Sequence, residues 1–593
     1  MVGRDRRITP RAKGTTPGNH KGACCGRNRL PARRLVASIA VLGLLALSAC
    51  TNDEPERRSG EPSGTNADGV PPVERVTEPV GDWFESSCAL DKDLLRRVRA
   101  GIHPERSPDI TVVPREPNYF GGFSVYTHSG PWDYVQRVPL ALYGPGFIKS
   151  SGEVKLDRLV TLADVAPTLA ELVGTQLPGK LPGRAITEAL VDEGRRAQPK
   201  VIVQLVWDGG GTNVLEQWPN AWPNLKRIMA EGASIQDVEV GSSPSVTPAV
   251  HATIGTGAFP KQHEIVDIPV RDGDDVIGSY PGRSPSILAL PTVADVYDQQ
   301  VGNEAEVGLF SYKSWHWGLA GHGSYIEGGD KDIVFLNSME GQWQTNPNYY
   351  SMPDYATRVP GLPEYTEQID RDDGRADGLW MKNDVLETSP ADLRDSPAWA
   401  LYQTDIATEI MEREGFGDDD ITDLFFMNYK QPDGIGHRYN MLEPEVREIV
   451  RYTDAELERL MSWLDSNVGK REWVIMVTAD HGQGPDPLRS GAWPIQKRPL
   501  LDALGRKFDV NPDALFQDER PGAYWVDREV LEEAGMTLED IAAFMNNYRL
   551  EDNALDGDDI PKPYRDRLRE PLFSAAFPTS AIGRIWNCAG RRG

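Results

Sequence analysis

The sequence predicts an α/β fold in which helices enclose a mostly parallel central sheet. The expectation rests first on three short apolar runs, at residues 201–207, 424–429 and 473–479. Apolar runs of this length are typical of strands that are buried on both faces of a parallel sheet. Two longer stretches, 398–414 and 443–469, have the amphipathic pattern of helices that flank such a sheet.

Polar residues with metal-binding chemistry follow each apolar run. They are Asp208 after the first run, Asp433 and His437 after the second, and Asp480 and His481 after the third. In open α/β sheets, ligands bind beyond the carboxyl ends of the strands, so we expect these side chains to meet at one edge. Carboxylate oxygens and imidazole nitrogens are usual zinc ligands. A lone Asp–His pair is more often structural, but three strand ends together predict a metal centre.

Thr247 is the candidate nucleophile. It follows a Gly-Ser-Ser-Pro loop and begins an apolar segment that can form a helix, with Pro248 at the first helical position. A hydroxyl at a helix N-terminus faces free N–H groups and the positive end of the helix dipole, which favours a nucleophile that binds phosphate. Three glycines after Asp208 would let backbone or ligand approach closely.

This set of residues resembles the alkaline phosphatase superfamily, most closely its nucleotide pyrophosphatase/phosphodiesterase branch. The residues that carry the resemblance are Asp208, Thr247 in Thr-Pro-Ala-Val-His, the Gly-Thr-Gly and Phe-Pro-Lys-Gln-His that follow, Asp433 with His437, and Asp480-His481-Gly482. The resemblance implies an alkaline-phosphatase-like sandwich of helices around the sheet, with two metal ions that are usually zinc. The implied ligand sets are Asp208, Thr247, Asp480 and His481 for one ion, and Asp433, His437 and one further histidine for the other.

The further histidine leads to the expectation of a circularly permuted chain. In ordinary members of the family this ligand follows the Asp-His-Gly segment, but no histidine follows His481 here. Residues 107–184 resemble the family's closing segment moved to the beginning, so the family order would be roughly 200–590 and then 80–190. Chain termini often lie close together in compact domains, which makes such a rearrangement tolerable.

His128 is the predicted missing ligand. It stands between a predicted strand and the Val-Pro-Leu strand, as the family pattern requires. His322 and His103 remain alternative ligands at this stage. His251 and His263 match positions that are usually structural, and we expect them in the core or in a loop.

The first 50 residues are typical of a lipoprotein signal peptide. A basic region ends at Arg34, an apolar run covers residues 35–49, and Leu-Ser-Ala-Cys50 closes the segment. The run is shorter than the ~20 residues of a membrane span, so a secretory signal is favoured. The ending resembles a bacterial lipobox and implies cleavage before Cys50 and lipid attachment to it. An uncleaved anchor or a plain signal peptide are the alternatives; the first interpretation predicts a cell-membrane lipoprotein that faces outside the cytoplasm.

The two cysteines at the ends of the mature chain predict a disulfide. Residues 51–80 are rich in Pro, Gly, Ser and charge and predict a disordered linker. Cys88 and Cys588 lie beyond it, and outside the cytoplasm they can oxidise. The bridge would close a loop of about 500 residues and stabilise the fold by several kcal/mol. Two buried thiols are the alternative.

The remaining chain divides into a permuted closing segment, 81–190, and the rest of the catalytic domain, 191–593. Within the latter, residues 268–395 loosen into Gly, Pro, Asp and aromatics and predict a cap-like insertion. Its aromatic side chains could stack on a nucleobase or a glycan, although buried packing is the alternative. Residues 531–549 predict a further helix.

The charge of the chain and a missing motif exclude two classes of function. A net charge of −26 over 593 residues argues against binding to a nucleic-acid duplex. The Cys/Ser-x-Pro-x-Arg signature of sulfatases is absent. The sequence therefore predicts an extracytoplasmic two-metal phosphodiesterase or nucleotide pyrophosphatase that acts on a small phosphoester. A phosphomonoesterase or phospholipid-headgroup hydrolase is the alternative, and a non-catalytic ligand-binding lipoprotein is the third possibility. Asn213 is a candidate substitute for the family's phosphoryl-binding Asn, which is missing after His263.

Overall fold

The computed structural model describes residues 82–123, 125–192, 197–337, 343–381, 395–554 and 560–589. The predicted signal peptide, the lipidation site Cys50 and the predicted linker lie outside the described residues. In the described ranges, no helix combines the length and apolar character that crossing a membrane requires.

The central sheet of the described chain has nine strands. In chain order they are β1 (Leu140–Tyr143), β2 (Gly152–Val154), β3 (Val201–Trp207), β4 (Ala233–Ile235), β5 (Val307–Ser311), β6 (Ile333–Asn337), β7 (Trp343–Gln344), β8 (Asp423–Tyr429) and β9 (Trp473–Thr478). Their spatial order is β7-β6-β5-β8-β3-β9-β1-β4-β2. The five central strands, β6, β5, β8, β3 and β9, run parallel. At each end of this group the next strand, β7 or β1, pairs antiparallel with it. The predicted mostly parallel α/β sheet is confirmed.

Helices cover both faces of this sheet because its central strands are apolar on both sides. In β3, Ile202 and Val206 face one core, whereas Val201, Val203 and Leu205 face the other. The helices of eight or more residues in the described chain are Lys92–Ala100, Val165–Val173, Pro223–Glu231, Thr247–Thr256, Val293–Gln300, Leu362–Asp370, Pro397–Glu414, Gln431–Tyr439, Pro444–Leu464, Lys497–Phe508, Leu538–Asn546 and Ile582–Ala589. The first core contains residues of Val165–Val173 and Val293–Gln300, and the second contains residues of Pro397–Glu414 and Pro444–Leu464.

A second, antiparallel sheet joins the two ends of the chain. Its strand order is Phe516–Arg520, Ala523–Val526, Ile110–Pro114 and Phe573–Pro578. The smaller two-stranded sheets pair Tyr119–Phe120 with Pro494–Ile495, Val160–Thr161 with Val238–Glu239, and Pro269–Asp272 with Asp275–Gly278. Residues 110–161 therefore contribute strands to the same sheets as residues far along the chain.

The disulfide between Cys88 and Cys588 connects these ends, with 5.5 Å between the two Cα atoms and a sequence separation of 500 positions. It joins the helices Trp83–Cys88 and Ile582–Ala589. The prediction of a bridge, rather than two buried thiols, agrees with the structure.

Two predictions about the chain's layout need correction. Residues 268–395 are not a separate cap, because β5, β6 and β7 from this segment extend the central sheet. Their runs are short and aromatic-rich, so the strand signal was hidden among glycines and turns. The helix predicted at 531–549 is two helices, Arg528–Glu533 and Leu538–Asn546, because Gly535 adopts a positive φ of 64° and Thr537 caps the second helix.

Candidate metal centre

The predicted polar side chains meet at the carboxyl edge of the central sheet. Asp208 directly follows β3, and Asp480 and His481 follow β9. Asp433 and His437 lie one turn apart on the helix Gln431–Tyr439, which begins just after β8. The three aspartates are no more than 1% exposed. The strand ends thus bring buried carboxylates together with imidazoles, of which that of His437 is partly exposed.

Close approach of the loops explains the glycines after Asp208. Gly209 has a φ of 70°, which side chains rarely adopt. A Cβ at Gly211 would lie 2.4 Å from the Cα of Gly482 in the loop after β9. Both positions therefore require glycine to hold the two strand ends in contact.

Three histidines surround Asp433. His128 Nε2 lies 3.4 Å from Asp433 Oδ1, and His437 Nε2 lies 3.4 Å from Oδ2. His481 Nε2 lies 3.9 Å from Oδ1, and its ring stacks on that of His128 with 3.4 Å between centroids. A histidine encoded near the beginning of the chain thus lies beside residues encoded 300 positions later.

Backbone carbonyls orient these three rings. His128 Nδ1 lies 3.0 Å from the carbonyl oxygen of Ser245, and His481 Nδ1 lies 2.9 Å from that of Gly482. His437 Nδ1 contacts the carbonyl oxygen of Tyr126. With Nδ1 turned toward the backbone, the Nε2 atoms of all three rings face Asp433, as is common for metal-ligating histidines. Burial opposes the charge of His437, but Asp433 raises its pKa. Burial lowers the pKa of both His128 and His481, so these rings are neutral and able to coordinate.

A second group forms around Asp208, Asp480 and His481. His481 Nε2 lies 3.6 Å from Asp208 Oδ1 and 3.4 Å from Asp480 Oδ2. Asp480 Oδ1 accepts a hydrogen bond of 3.0 Å from the Gly209 N–H. In the described structure, Asp480 Oδ2 and His481 Nε2 are buried without a hydrogen-bond partner. Buried atoms without partners are costly, so this donor set fits a divalent ion.

Lys430 is a site residue that the sequence reasoning missed. Its Nζ lies 2.9 Å from Asp208 Oδ1, 2.5 Å from Asp433 Oδ2 and 3.5 Å from Thr247 Oγ1. Burial opposes its charge, yet the carboxylates of Asp208 and Asp433 raise its pKa above the usual lysine value. Its position directly after the strand end Tyr429 was the available signal.

The pKa values of the three buried aspartates shift in different directions. Burial opposes their charges, but Lys430 lowers the pKa of Asp208, and His437 together with Lys430 lowers that of Asp433. Asp480 behaves differently, because burial and the neighbouring Asp208 charge raise its pKa. The three pKa values differ because Lys430 lies close to Asp208 and Asp433, whereas Asp480 faces the charge of Asp208.

Thr247 opens onto a cavity of about 370 Å³. It is the first residue of the helix Thr247–Thr256, where the sequence had placed Pro248. The basic side chains that line the cavity are Lys313, Lys430, Arg438 and Arg520, along with His128 and His437. Burial lowers the pKa of Lys313 to about 8. Three carboxylates, those of Asp267, Asp395 and Asp433, also line the cavity, which thus presents a hydroxyl, four Lys and Arg side chains and acidic groups to a ligand.

The alternative metal histidines lie elsewhere. His322 Nδ1 binds Asp295 Oδ2 at 2.8 Å, and His103 Nε2 faces Glu264 at 3.9 Å. His263 lies in the core, with Nε2 3.1 Å from Thr253 Oγ1. Geometry therefore favours His128 over both alternatives.

Asn213 does not line the cavity, so its predicted role in substrate binding is corrected. Its Nδ2 donates to the Gln483 carbonyl oxygen at 2.8 Å, and its Oδ1 accepts from the Gln483 N–H at 3.3 Å. This amide is used to hold the loop that follows His481. Its nearness in sequence to the glycines after Asp208 was not enough to orient it toward substrate.

Curated proteins similar to this chain are bacterial. The alkaline phosphatase PafA of Elizabethkingia meningoseptica is 22% identical over 438 residues, 63% of this chain and 78% of that protein. A calcium-transporting ATPase of Myroides odoratus is 23% identical over 49% of this chain, and the alkaline phosphatase PhoV of Synechococcus elongatus is 23% identical over 48%. The chain spans 61% and 59% of the lengths of these last two relatives.

Solved structures show more distant likeness. A crystal structure of alkaline phosphatase PafA has 20% identity and a TM-score of 0.49, with 64% of this chain and 84% of that chain covered. A phosphonoacetate hydrolase of Sinorhizobium meliloti has 20% identity and a TM-score of 0.28, with 49% and 59% covered.

The model of one protein family matches residues 202–543. The match includes Asp208, Thr247, Asp433, His437, Asp480 and His481, and it makes up more than half of the chain. The strand-end geometry described above lies within these residues, apart from His128. The chain therefore belongs to the type I phosphodiesterase / nucleotide pyrophosphatase family, a group of phosphoester hydrolases in the alkaline phosphatase superfamily.

Proposed function

We propose that this chain is a metal-dependent phosphoester hydrolase, of phosphodiesterase or nucleotide pyrophosphatase type, with Thr247 as its nucleophile. The observation that carries the proposal is the position of Thr247. Its hydroxyl belongs to the lining of a cavity with four Lys and Arg side chains, 3.5 Å from Lys430 Nζ and beside the buried carboxylates and histidines. A structural threonine would have no need of such surroundings.

The proposed ligands form two sets. They are Asp208, Thr247, Asp480 and His481 for one divalent ion, and Asp433, His437 and His128 for the other. The unpartnered Asp480 Oδ2 and His481 Nε2 and the inward-facing Nε2 atoms support this assignment. Mixed carboxylate and imidazole donors favour zinc over magnesium or calcium. Bound ions would supply Lewis-acid stabilisation of charge on the phosphoryl group and the leaving oxygen.

The chain's own groups then carry out the displacement. Thr247 Oγ attacks phosphorus, the new O–P bond forms, and the bond from phosphorus to the leaving oxygen breaks in line with it. The threonine proton passes to solvent and the leaving oxygen gains one. Free N–H groups in the first turn of the helix Thr247–Thr256 face the phosphoryl oxygens and favour their negative charge. A water molecule then hydrolyses the phosphothreonine and restores the hydroxyl.

The cavity determines the class of substrate. Its volume of about 370 Å³ lies in the range of small-molecule sites and is too small for a nucleic-acid duplex. Lys313, Arg438 and Arg520 provide positive charge around the phosphoryl position. This cationic lining favours phosphomonoesters as a second candidate, because a monoester carries one more negative charge than a diester.

The proposal includes a circularly permuted chain order and a lipid anchor on Cys50 that holds the enzyme outside the cytoplasm. The contact of His128 with Asp433 and the pairing of Ile110–Pro114 with Phe573–Pro578 support the permutation. The disulfide between Cys88 and Cys588 supports an oxidising compartment.

Thr247→Ala tests the proposal directly. We expect turnover of bis-p-nitrophenyl phosphate and of p-nitrophenyl phosphate to fall at least about 1000-fold, because an attacking nucleophile has no substitute here. The faster of the two substrates in the wild type distinguishes diesterase from monoesterase. Thr256→Ala removes a hydroxyl from the end of the same helix and should leave turnover unchanged. Undiminished turnover in Thr247→Ala would remove this residue from the mechanism, and no turnover by zinc-loaded wild type would favour a non-catalytic lipoprotein.

A further inference from the structure

We infer that Asp208, His251, His316 and Asn428 form a third metal site, a closed four-ligand site for a zinc-type divalent ion behind the catalytic cavity. All four side chains are fully buried. His251 was expected to be structural, and no sequence motif pointed to His316 or Asn428. The inference concerns metal binding and does not depend on which phosphoester the cavity accepts.

The carboxylate of Asp208 faces two ways. Its Oδ1 lies toward the catalytic groups, 2.9 Å from Lys430 Nζ and 3.6 Å from His481 Nε2. Its Oδ2 points to the opposite side, 3.4 Å from His316 Nε2 and 3.1 Å from Asn428 Nδ2. One carboxylate can therefore bind an ion on each side.

The backbone fixes both imidazoles with a lone pair directed inward. His316 Nδ1 lies 2.8 Å from the Lys313 carbonyl oxygen, and His251 Nδ1 lies 2.8 Å from the Thr247 carbonyl oxygen. These short contacts to an acceptor require a proton on Nδ1, so the neutral form of each ring has its lone pair on Nε2. His316 Nε2 and Asp208 Oδ2 lie 3.4 Å apart and face each other, so an ion between them would take a lone pair from each. The same carbonyl-backed histidine geometry occurs at zinc sites.

The amide of Asn428 completes the set. Its nitrogen lies 2.9 Å from His251 Nε2 and 3.1 Å from Asp208 Oδ2, while its oxygen is buried without a hydrogen-bond partner. Amide oxygen and nitrogen exchange places when the group rotates by a half-turn, and the choice between them follows from the surroundings. With a cation in the centre, the oxygen turns inward as the fourth ligand.

The spacing fits a tetrahedral ion. Bonds of about 2.0–2.1 Å around such an ion separate neighbouring ligand atoms by roughly 3.3 Å. The separations among these atoms are 2.9, 3.1 and 3.4 Å, and the ligand atoms of Asp208, His251 and His316 all lie within 4.8 Å of one another. Two imidazoles favour zinc-type ions over magnesium or calcium. Four protein ligands leave no open position, which is typical of a structural ion.

The ion would connect the elements that line the cavity. His251 lies one turn after Thr247 on the same helix, and His316 follows the cavity residues Lys313 and Trp315. Asn428 is the last residue but one of β8. Through Asp208 these elements are tied to the catalytic groups. The expected role of the ion is to hold the nucleophile's helix against the sheet edge.

Metal counting with anomalous diffraction tests the site. The full chain is loaded with excess zinc, freed of unbound metal by gel filtration, and measured by mass spectrometry and by diffraction on both sides of the zinc absorption edge. We expect three equivalents per chain and an anomalous peak among Asp208, His251, His316 and Asn428. The absence of a peak at that position would overturn the inference, whatever the occupancy of the catalytic positions.

Variants distinguish a cation from a hydrogen-bond network. His316→Gln keeps a polar side chain but removes the imidazole, and should lose this peak and one equivalent. Asn428→Asp keeps the size and provides a better ligand that cannot donate, so it should retain the peak. If a folded Asn428→Asp chain lost the ion, Asn428 would act as a hydrogen-bond donor and not as a ligand, and that result would overturn the four-ligand site. His322→Gln, at a buried histidine paired with Asp295, should retain three equivalents.

Discussion

The two predicted ligand sets differ in how the fold assembles them. Asp208, Asp480 and His481 follow adjacent strands, β3 and β9, so the sheet itself fixes their spacing. Asp433 and His437 lie on a helix, and His128 lies on a loop of the N-terminal segment. That loop is attached by local contacts such as the Tyr126 N–H to the His437 carbonyl oxygen at 3.2 Å. The comparison teaches that the first set is as rigid as the core, whereas the second depends on correct docking of a distant segment.

Substitution in the first ligand set, Asp208, Asp480 and His481, which we call the sheet-borne set, should have the largest effect on activity. Asp480→Asn removes a buried carboxylate with an unpartnered oxygen, and we expect loss of one ion and a fall in kcat/KM of about 1000-fold, since a metal supplies several kcal/mol of charge stabilisation. Zinc content and hydrolysis rates measure this. Asp486→Asn, which alters only the cap of the helix Pro487–Ser490, is the control. Normal zinc content in Asp480→Asn would remove this residue from the ligand set.

The second ligand set, Asp433, His437 and His128, depends on docking of the N-terminal segment and is called here the docked set. We expect it to lose its metal ion more easily than the sheet-borne set. His128→Ala should lose one ion and reduce kcat/KM by roughly 100-fold, with partial recovery at high zinc, because Asp433 and His437 remain. Zinc titration followed by activity checks this, with His322→Ala as the matched control. If His128→Ala kept both ions, another group would complete the pocket. If its kcat/KM fell as far as that of Asp480→Asn, the two ligand sets would not differ in their effect on activity.

Removal of the disulfide should lower the stability of the protein and weaken zinc binding at the docked set in particular. The double change Cys88→Ser and Cys588→Ser frees the N-terminal segment, and we expect the free energy of unfolding to fall by about 2–5 kcal/mol. Urea unfolding measures the loss, and reduction of the wild type should reproduce it. Zinc affinity of the docked set should fall more than that of the sheet-borne set, and equal losses would contradict the assembly argument.

The smallest effect concerns pH. Burial lowers the pKa of Lys313 to about 8, so its positive charge in the cavity is lost as pH rises through that value. We expect KM to rise by up to about tenfold above pH 8 while kcat changes less, because the lost charge contributes mainly to substrate binding. Lys313→Met should have the raised KM at every pH. A KM in the wild type that does not change between pH 7 and 9 would exclude this role.

Particular residues show how far sequence reasoning reached. The apolar runs that form strands, and the Asp and His residues that follow them, could be predicted because burial and ligand chemistry leave local patterns in the sequence. The loss of a C-terminal histidine also pointed to His128, since a ligand set must be complete. Lys430 and His316 left no such pattern, because a single lysine or histidine acquires meaning only from its neighbours in space. The strands β5, β6 and β7 were missed for a similar reason, because they are stabilised by pairing in order onto β8, and their own short sequences do not indicate this pairing.

By itself, the sequence determined the parallel α/β core, the residues at its strand ends and the cysteines able to bridge its ends. These depend on local periodicity and side-chain chemistry, which the chain carries in order. Only the tertiary structure decided which histidine approaches Asp433, which way the oxygens of Asp208 face, and that Asn213 binds a loop. Those outcomes depend on distances between segments hundreds of residues apart, and such distances exist only after the chain has packed.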